Sequence, residues 1–147
     1  MASAGVERIF WWTAVESWGA PGIPEFFDQM GLVYNGLGEE ALRGVAGGTP
    51  KRAAVTYRLL AEALAGTTGA VRVEAGVYRF EADDGPVFVV WDEGGSGSVA
   101  LSGLAGFAAS VTDLVPDAGG RVSTLEVPVV GGVITLDVGA DPRLVTP

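Results

Sequence analysis

The sequence predicts a mainly β chain: an antiparallel β-sandwich preceded by a segment that holds one strand and one long helix. Three observations lead there. Residues 67–147 break into short runs of β-branched and aromatic residues, several with a period of two, separated by turns rich in glycine, proline and aspartate. One window only, Lys51–Ala65, keeps helix-forming composition over several turns. The third is the opening run Val6-Glu7-Arg8-Ile9-Phe10-Trp11-Trp12, dense in residues that favour strands and apolar beyond its charged pair, Glu7 and Arg8.

Taken in order, that opening run reads as a strand buried on both faces. Gly19-Ala20-Pro21-Gly22-Ile23-Pro24 is loop chemistry, and Glu25–Met30 is a single helical turn before the apolar stretch Gly31-Leu32-Val33-Tyr34. Asn35-Gly36 marks a turn. The helix comes next. Thr49 is placed to be its N-cap, with Pro50 at the first helical position, where a missing N–H costs nothing. Gly66 stands where a left-handed C-terminal cap belongs. Tyr57, Leu60 and Leu64 form a stripe flanked by Val55, Leu59 and Ala63, wide enough to pack on a sheet, while Arg58 and Glu62 make an i,i+4 pair on the polar face.

Seven or eight strands are expected after the helix: Ala70–Glu74, Val77–Ala82, Val87–Asp92, Ser98–Ser102, Ala108–Leu114, Val122–Val127 and Val133–Val138, with Arg143–Thr146 as the eighth. Asp83-Asp84-Gly85-Pro86 and Gly131-Gly132 read as hairpin turns. Tyr78, Phe80 and Ala82 face one way and Arg79 and Glu81 the other, whereas Val87–Trp91 is apolar throughout, as a central strand would be. Trp91 therefore reads as sandwich core. The regular spacing of turn signals favours a sandwich over a meander laid on a helix.

Composition narrows the chemistry. The 147 residues carry 9 Lys+Arg against 18 Asp+Glu, a formal charge of −9, which argues against nucleic-acid binding. A single lysine, Lys51, excludes a polybasic membrane patch, and no apolar window approaches the ~18 residues of a membrane span. With no cysteine and no histidine there are no disulfides, thiol chemistry, imidazole-based triads or zinc sites of the usual kind. Met1–Arg8 lacks the charged and apolar regions of a signal peptide. Asp83-Asp84 and Asp92-Glu93 lack the spacing of a calcium loop and read as hairpin acids. No metal or cofactor is expected. The composition shifts near Gly66: residues 1–66 carry net −2 and three of the four tryptophans, residues 67–147 net −7. Two packed units, 1–66 and 67–147, follow from that shift.

Gly5-Val6-Glu7-Arg8-Ile9-Phe10-Trp11-Trp12, Met30-Gly31-Leu32, Pro50-Lys51-Arg52-Ala53, Tyr57-Arg58-Leu59-Leu60-Ala61 and Leu64-Ala65-Gly66 occur in an order and at a spacing that together carry a resemblance. The set resembles the last strand and eighth helix of the (β/α)8 barrel in clan A glycoside hydrolases, the xylosidases, arabinofuranosidases and related families. Tyr78-Arg79-Phe80-Glu81, Val87–Asp92, Val99–Leu104 and Val111–Leu114 are similar to strands of the β-sandwich those enzymes append to the barrel. The resemblance implies that residues 1–66 are a barrel remnant and 67–147 an accessory sandwich. It implies a C-terminal part of a retaining glycosidase acting on plant or microbial polysaccharides or glycosides.

In that clan two glutamates about 5–5.5 Å apart do the chemistry, on the fourth and seventh barrel strands, which have no counterpart here. The chain alone is therefore expected to be inactive. What the resemblance assigns to it is an aromatic platform under the sugar, Trp12, or Trp11 if the register is shifted by one; Trp18, in a loop setting, reads as lining the cleft mouth, and Glu16, the acid nearest the strand end, as a hydrogen-bond acceptor for a sugar hydroxyl or a charge tuning a catalytic neighbour. The expected partners are carbohydrate, through the parent enzyme, and the rest of the barrel or a second copy of the chain. The alternative is a stand-alone carbohydrate-binding or protein-interaction sandwich module. A self-sufficient hydrolase built on Glu16 and another acid has no support in the spacing.

Overall fold

The computed structural model describes residues 31–37 and 42–147. Its elements run in the expected order: helix α1 (Arg52–Ala63), then strands β1 (Gly69–Glu74), β2 (Val77–Glu81), β3 (Val87–Val90), β4 (Ser96–Ser102), β5 (Ala108–Asp113), β6 (Thr124–Pro128), β7 (Val133–Gly139) and β8 (Arg143–Thr146). The strands form two antiparallel sheets. One has six strands in the order β1-β2-β3-β8-β5-β6, and the other is the pair β4-β7. The described residues form a mainly β sandwich with one helix, as the patterning anticipates.

The six-stranded sheet is covered on both faces, and residue parity decides which side chain goes where. Val77, Phe88, Val90, Ala109, Val111 and Val145 point inward and meet Val99, Leu101, Ile134, Leu136 and Val138 of the β4-β7 pair in one core. Phe80, Val87, Leu114 and Leu144 point the other way and form a second cluster, roofed by Leu59, Leu60, Ala63 and Leu64 of α1. This explains why Val87–Val90 has no polar position: Phe88 and Val90 fill the sandwich while Val87 and Val89 lie beneath the helix. Burying a side chain such as Leu101 is worth roughly 1.5–3 kcal/mol. Two clusters of this kind hold the helix and both sheets as one body.

Arg143 joins the sheets at one end. Its Nε donates to Asp113 Oδ1 at 3.0 Å on the neighbouring β5, and its Nη1 donates to the Asp137 carbonyl at 2.8 Å on β7. Helix α1 is also held by a hydrogen bond, from the Thr56 hydroxyl to the Leu114 carbonyl. The Arg58–Glu62 pair forms as expected, at 3.9 Å, but with both side chains 68% exposed it contributes little.

Three local expectations are corrected. The helix begins after Lys51, with no side-chain cap, so Thr49 is not the N-cap and Pro50 is not its first residue. Both belong instead to an extended segment paired with Leu32–Tyr34, through Tyr34 N–H to Thr49 O at 2.9 Å and Lys51 N–H to Leu32 O at 2.8 Å. Backbone pairing thus holds Thr49 and Pro50 outside the first turn. Gly131-Gly132 does make a tight turn closing a Val130–Val133 bridge, but the strands then part: β6 pairs with β5 and β7 with β4. The turn passes the chain from one sheet to the other. Trp91 follows the end of β3 and is half-buried, outside the sandwich core, stacked on Tyr78 with ring centroids 5.3 Å apart and planes 9° from parallel. Parity places it after Val90 on the Tyr78 side, so its indole closes the end of the sheet and does not enter it.

Gly66, by contrast, has φ +79°, the left-handed conformation expected of it beyond the helix end. Asn35 and Gly36 also turn as expected: the Leu37 N–H donates to Asn35 Oδ1 at 2.8 Å and Gly36 has φ +79°.

Candidate functional site

The four residues that the sequence nominates for substrate contact, Trp11, Trp12, Glu16 and Trp18, lie outside the described residues. The candidate site is therefore built from the surface that the sandwich itself presents.

One cleft opens at the end of the sandwich where β3 leaves for β4. It encloses about 240 Å³, its floor made by Val77, Val99 and Val138 and its walls by Glu74, Trp91, Asp92, Glu93 and Ser98. The tight β1-β2 turn shapes this region. Gly76, at φ +69°, accepts a hydrogen bond from the Trp91 N–H at 2.9 Å, and a Cβ there would lie 2.0 Å from the Trp91 carbonyl oxygen. Only glycine lets the two backbones approach so closely. Asp92 is engaged in structure: its Oδ1 accepts the Gly94 N–H at 2.6 Å, an Asx turn that starts the connection to β4. The cleft thus combines one indole, held by Tyr78, with carboxylates of which Asp92 is committed to a turn.

Two further clefts flank the start of α1 and share Arg52. One, of about 510 Å³, lies between Tyr34, Lys51, Val55 and the Gly119-Gly120 tip, with Lys51 Nζ 5.2 Å above the Tyr34 ring. The other, of about 410 Å³, is lined by Asp113, Asp117, Arg121 and Asp141 among others. Its acids also have structural roles. Asp113 is held by Arg143, and Asp117 Oδ1 accepts the N–H groups of Gly119 and Arg121 at 2.8 and 2.9 Å, which closes the β5-β6 loop.

Glu81 pairs with Arg79 at 3.0 Å, and among the described residues no group of three or more acids gathers as a metal site. Asp92 and Asp117 set turns, Asp113 pairs with an arginine on the neighbouring strand, and Glu81 pairs with Arg79 on its own strand.

Comparison with family models, with curated proteins and with solved structures returned no match. The class defined by the fold is accordingly a β-sandwich with a helix on its outer face.

Two surface features escaped the sequence. The Tyr78–Trp91 stack was hidden by the apolar run Val87–Trp91, which reads as continuous core. The exposure of Phe107, 95%, was hidden because the residue adjoins the strand Ala108–Asp113. Its flanking Gly106 was the available signal, since glycine at a strand entrance marks a turn.

Proposed function

We propose that the chain is the C-terminal portion of a retaining glycoside hydrolase, in which the sandwich carries and positions the helix that would close the barrel. The proposal covers the finer architecture: residues 1–66 as the last strand and helix of a (β/α)8 barrel, and residues 67–147 as the accessory domain. The chain would take no part in bond cleavage. Its contribution would be to anchor the barrel's final helix and, through Trp12 or Trp11, Trp18 and Glu16, to touch the sugar.

The observation that carries this reading is the seat of α1. Leu59, Leu60, Ala63 and Leu64 pack onto Phe80, Val87, Leu114 and Leu144, and Thr56 bonds to the end of β5. A helix fixed to the outer face of a sandwich along one side, with Tyr57 and Arg58 exposed on another, is what a bridge between a barrel and an appended domain requires.

The test is to sequence the roughly 750 nucleotides upstream of the Met1 codon, the coding length of a ~250-residue barrel. An open frame that runs into Met1 and encodes two strand-end glutamates bears the proposal out. An in-frame stop directly before Met1 replaces it with the stand-alone module, for which the exposed Phe107 is the observation in favour.

A further inference from the structure

Among the described residues the sheet edges are β1 and β6 in the six-stranded sheet and β4 and β7 in the pair. Of these, β1, β6 and β7 are guarded against further pairing. β1 carries Arg72 and Glu74 with an irregular register between them, and β6 carries Glu126 and Pro128. β7 carries Asp137, and its Asp137 and Gly139 carbonyls already accept from Arg143 Nη1 and the Asp92 N–H, both at 2.8 Å. β4 is unguarded. Ser96-Gly97-Ser98-Val99-Ala100-Leu101-Ser102 has no charge and no proline, and it pairs with β7 residue for residue along its whole length.

The direction of its free backbone follows from that pairing. The Gly103 N–H donates to the Gly132 carbonyl, one step beyond the Ser102–Val133 pair. Bonds to β7 therefore fall on Gly97, Val99 and Leu101, and the N–H and C=O groups of Ser96, Ser98, Ala100 and Ser102 point outward. None of these outward groups has a partner among the described residues. Beside them lies the β1-β2 hairpin. Ser98 and Val99 share a cleft with Glu74, Ala75 and Val77, and the Cβ position of Gly103 comes within 3.9 Å of the Arg79 guanidinium. β4 thus runs above β2, and β1 extends past it as a shelf. Val71, which pairs with Arg79 and so shares its face, is 56% exposed because the two-stranded layer stops short of it.

Shape and charge select what fits this edge. An added strand lies about 4.8 Å from β4, over the β1 shelf. A second copy would bring its own β1-β2 hairpin into space that this hairpin fills, whereas a single extended segment rests on the shelf with alternate side chains on Val71. The charge along the groove is uneven. At the Gly103 end Arg79 pairs with Glu81 at 3.0 Å, so the two charges cancel. At the Ser98 end the cleft of about 240 Å³ is lined by Glu74, Asp92 and Glu93 with no basic side chain, and Trp91 adds an aromatic wall. Arg72, two residues from Glu74, donates from Nε to the Glu74 carbonyl at 3.3 Å and not to its carboxylate. An ammonium or guanidinium group is what that end attracts.

We propose that the outward edge of β4 captures an extended segment of a partner protein as an added strand, with apolar side chains on the β1 shelf and a lysine or arginine in the cleft of Glu74 and Glu93. Main-chain hydrogen bonds give this mode its affinity, and alternate side chains give its selectivity. The inference does not rest on the glycosidase reading.

Fluorescence anisotropy of a labelled synthetic peptide titrated with the full 147-residue chain tests it. The probe is about eight residues long, alternates valine with threonine and carries lysine at one end. Saturable binding is expected, weakened about tenfold or more when glutamate replaces the lysine. Of two probes methylated on alternate backbone nitrogens, the one whose methyl groups face β4 loses binding. On the protein side, Ala100→Pro removes an outward N–H without touching the bonds to β7, and Glu74→Lys combined with Glu93→Lys reverses the charge of the cleft. Each weakens binding of the lysine probe by about tenfold or more, and the second improves binding of the glutamate probe. Circular dichroism of both variants is expected to match the parent, and the methylated probes test the edge on the unaltered chain if Ala100→Pro does not fold. The absence of saturable binding overturns the proposal. So does binding that survives both methylations, or that is equal for the lysine and glutamate probes. Self-association of the chain that the probe competes away overturns it as well, because the edge then belongs to a second copy.

Discussion

Arg143 on β8 crosses from one sheet to the other, donating from Nη1 to the Asp137 carbonyl on β7 at 2.8 Å while its Nε holds Asp113 on β5 at 3.0 Å. One guanidinium thereby ties three strands and both layers of the sandwich. Its side chain and that of Asp113 are about one-third exposed, 32% and 38%, so water screens the pair and the geometry matters more than the charge. Arg143→Met keeps the aliphatic stem and removes the fork. The expected loss is about 1–2 kcal/mol, measured by urea unfolding. Arg143→Lys recovers only part of it, because an ammonium cannot span both acceptors with the same planar fork.

Among the described residues, Gly76 is the glycine whose backbone leaves least room for a side chain. Its φ of +69° and the 2.0 Å approach of a Cβ to the Trp91 carbonyl act together. Gly76→Ala is expected to destabilise the chain by about 2–4 kcal/mol, from the left-handed backbone and the forced movement of Trp91. A shift of the Trp91 indole N–H resonance, assigned among the four tryptophans by its loss in Trp91→Phe, accompanying the lower melting temperature would place the disturbance at the Tyr78–Trp91 stack.

The attachment of α1 is testable through a pair of substitutions on the same helix. Thr56→Val deletes the hydrogen bond to the Leu114 carbonyl and is expected to cost about 1 kcal/mol. Arg58→Ala, which breaks only the exposed pair with Glu62, is expected to fall within about 0.5 kcal/mol of the parent. Amide exchange distinguishes them: α1 loses protection in the first variant and keeps it in the second.

A catalytic test follows from the proposed function. The purified chain is expected to release no product from aryl xylosides or arabinofuranosides above the buffer rate. Turnover that persists through repeated purification and disappears in Glu16→Gln would restore the self-sufficient hydrolase.

Much of the sandwich is legible from residue patterning because strand parity leaves a direct trace. The uninterrupted Val87–Val90 follows from having both faces of the sheet covered, and in Val77–Glu81 the two faces likewise bury one residue each, Val77 in the sandwich core and Phe80 beneath the helix. The misreadings have a common physical cause, that local chemistry is blind to pairing partners. Thr49-Pro50 carries the residues of a helix start, but the backbone of Leu32–Tyr34, fifteen or more positions away, claims it. Gly131-Gly132 has the chemistry of a hairpin, and it makes the tight turn, but which sheet each flanking strand joins is set by β4 and β5. Trp91 sits at the end of an apolar run, and only the tertiary position of Tyr78 shows where its ring lies. The residues nominated for sugar contact, Trp11 and Trp12 by resemblance and Glu16 and Trp18 by their place after that strand, lie outside the described residues.

The place of β8 in the sheet order has a consequence for how the protein is made. It stands between β3 and β5, although more than fifty residues separate it from β3 in the chain. A ribosome that has translated as far as Pro142 has produced two antiparallel ribbons, β1-β2-β3 and β5-β6, with nothing to join their edges in the same sheet. Both edges expose backbone that is poised to pair with a neighbouring nascent chain. Arg143–Thr146 is therefore the clasp of the fold, and nonsense or frameshift changes upstream of it would be expected to send the product to aggregation or proteolysis while nearly all of its core residues have already been synthesised.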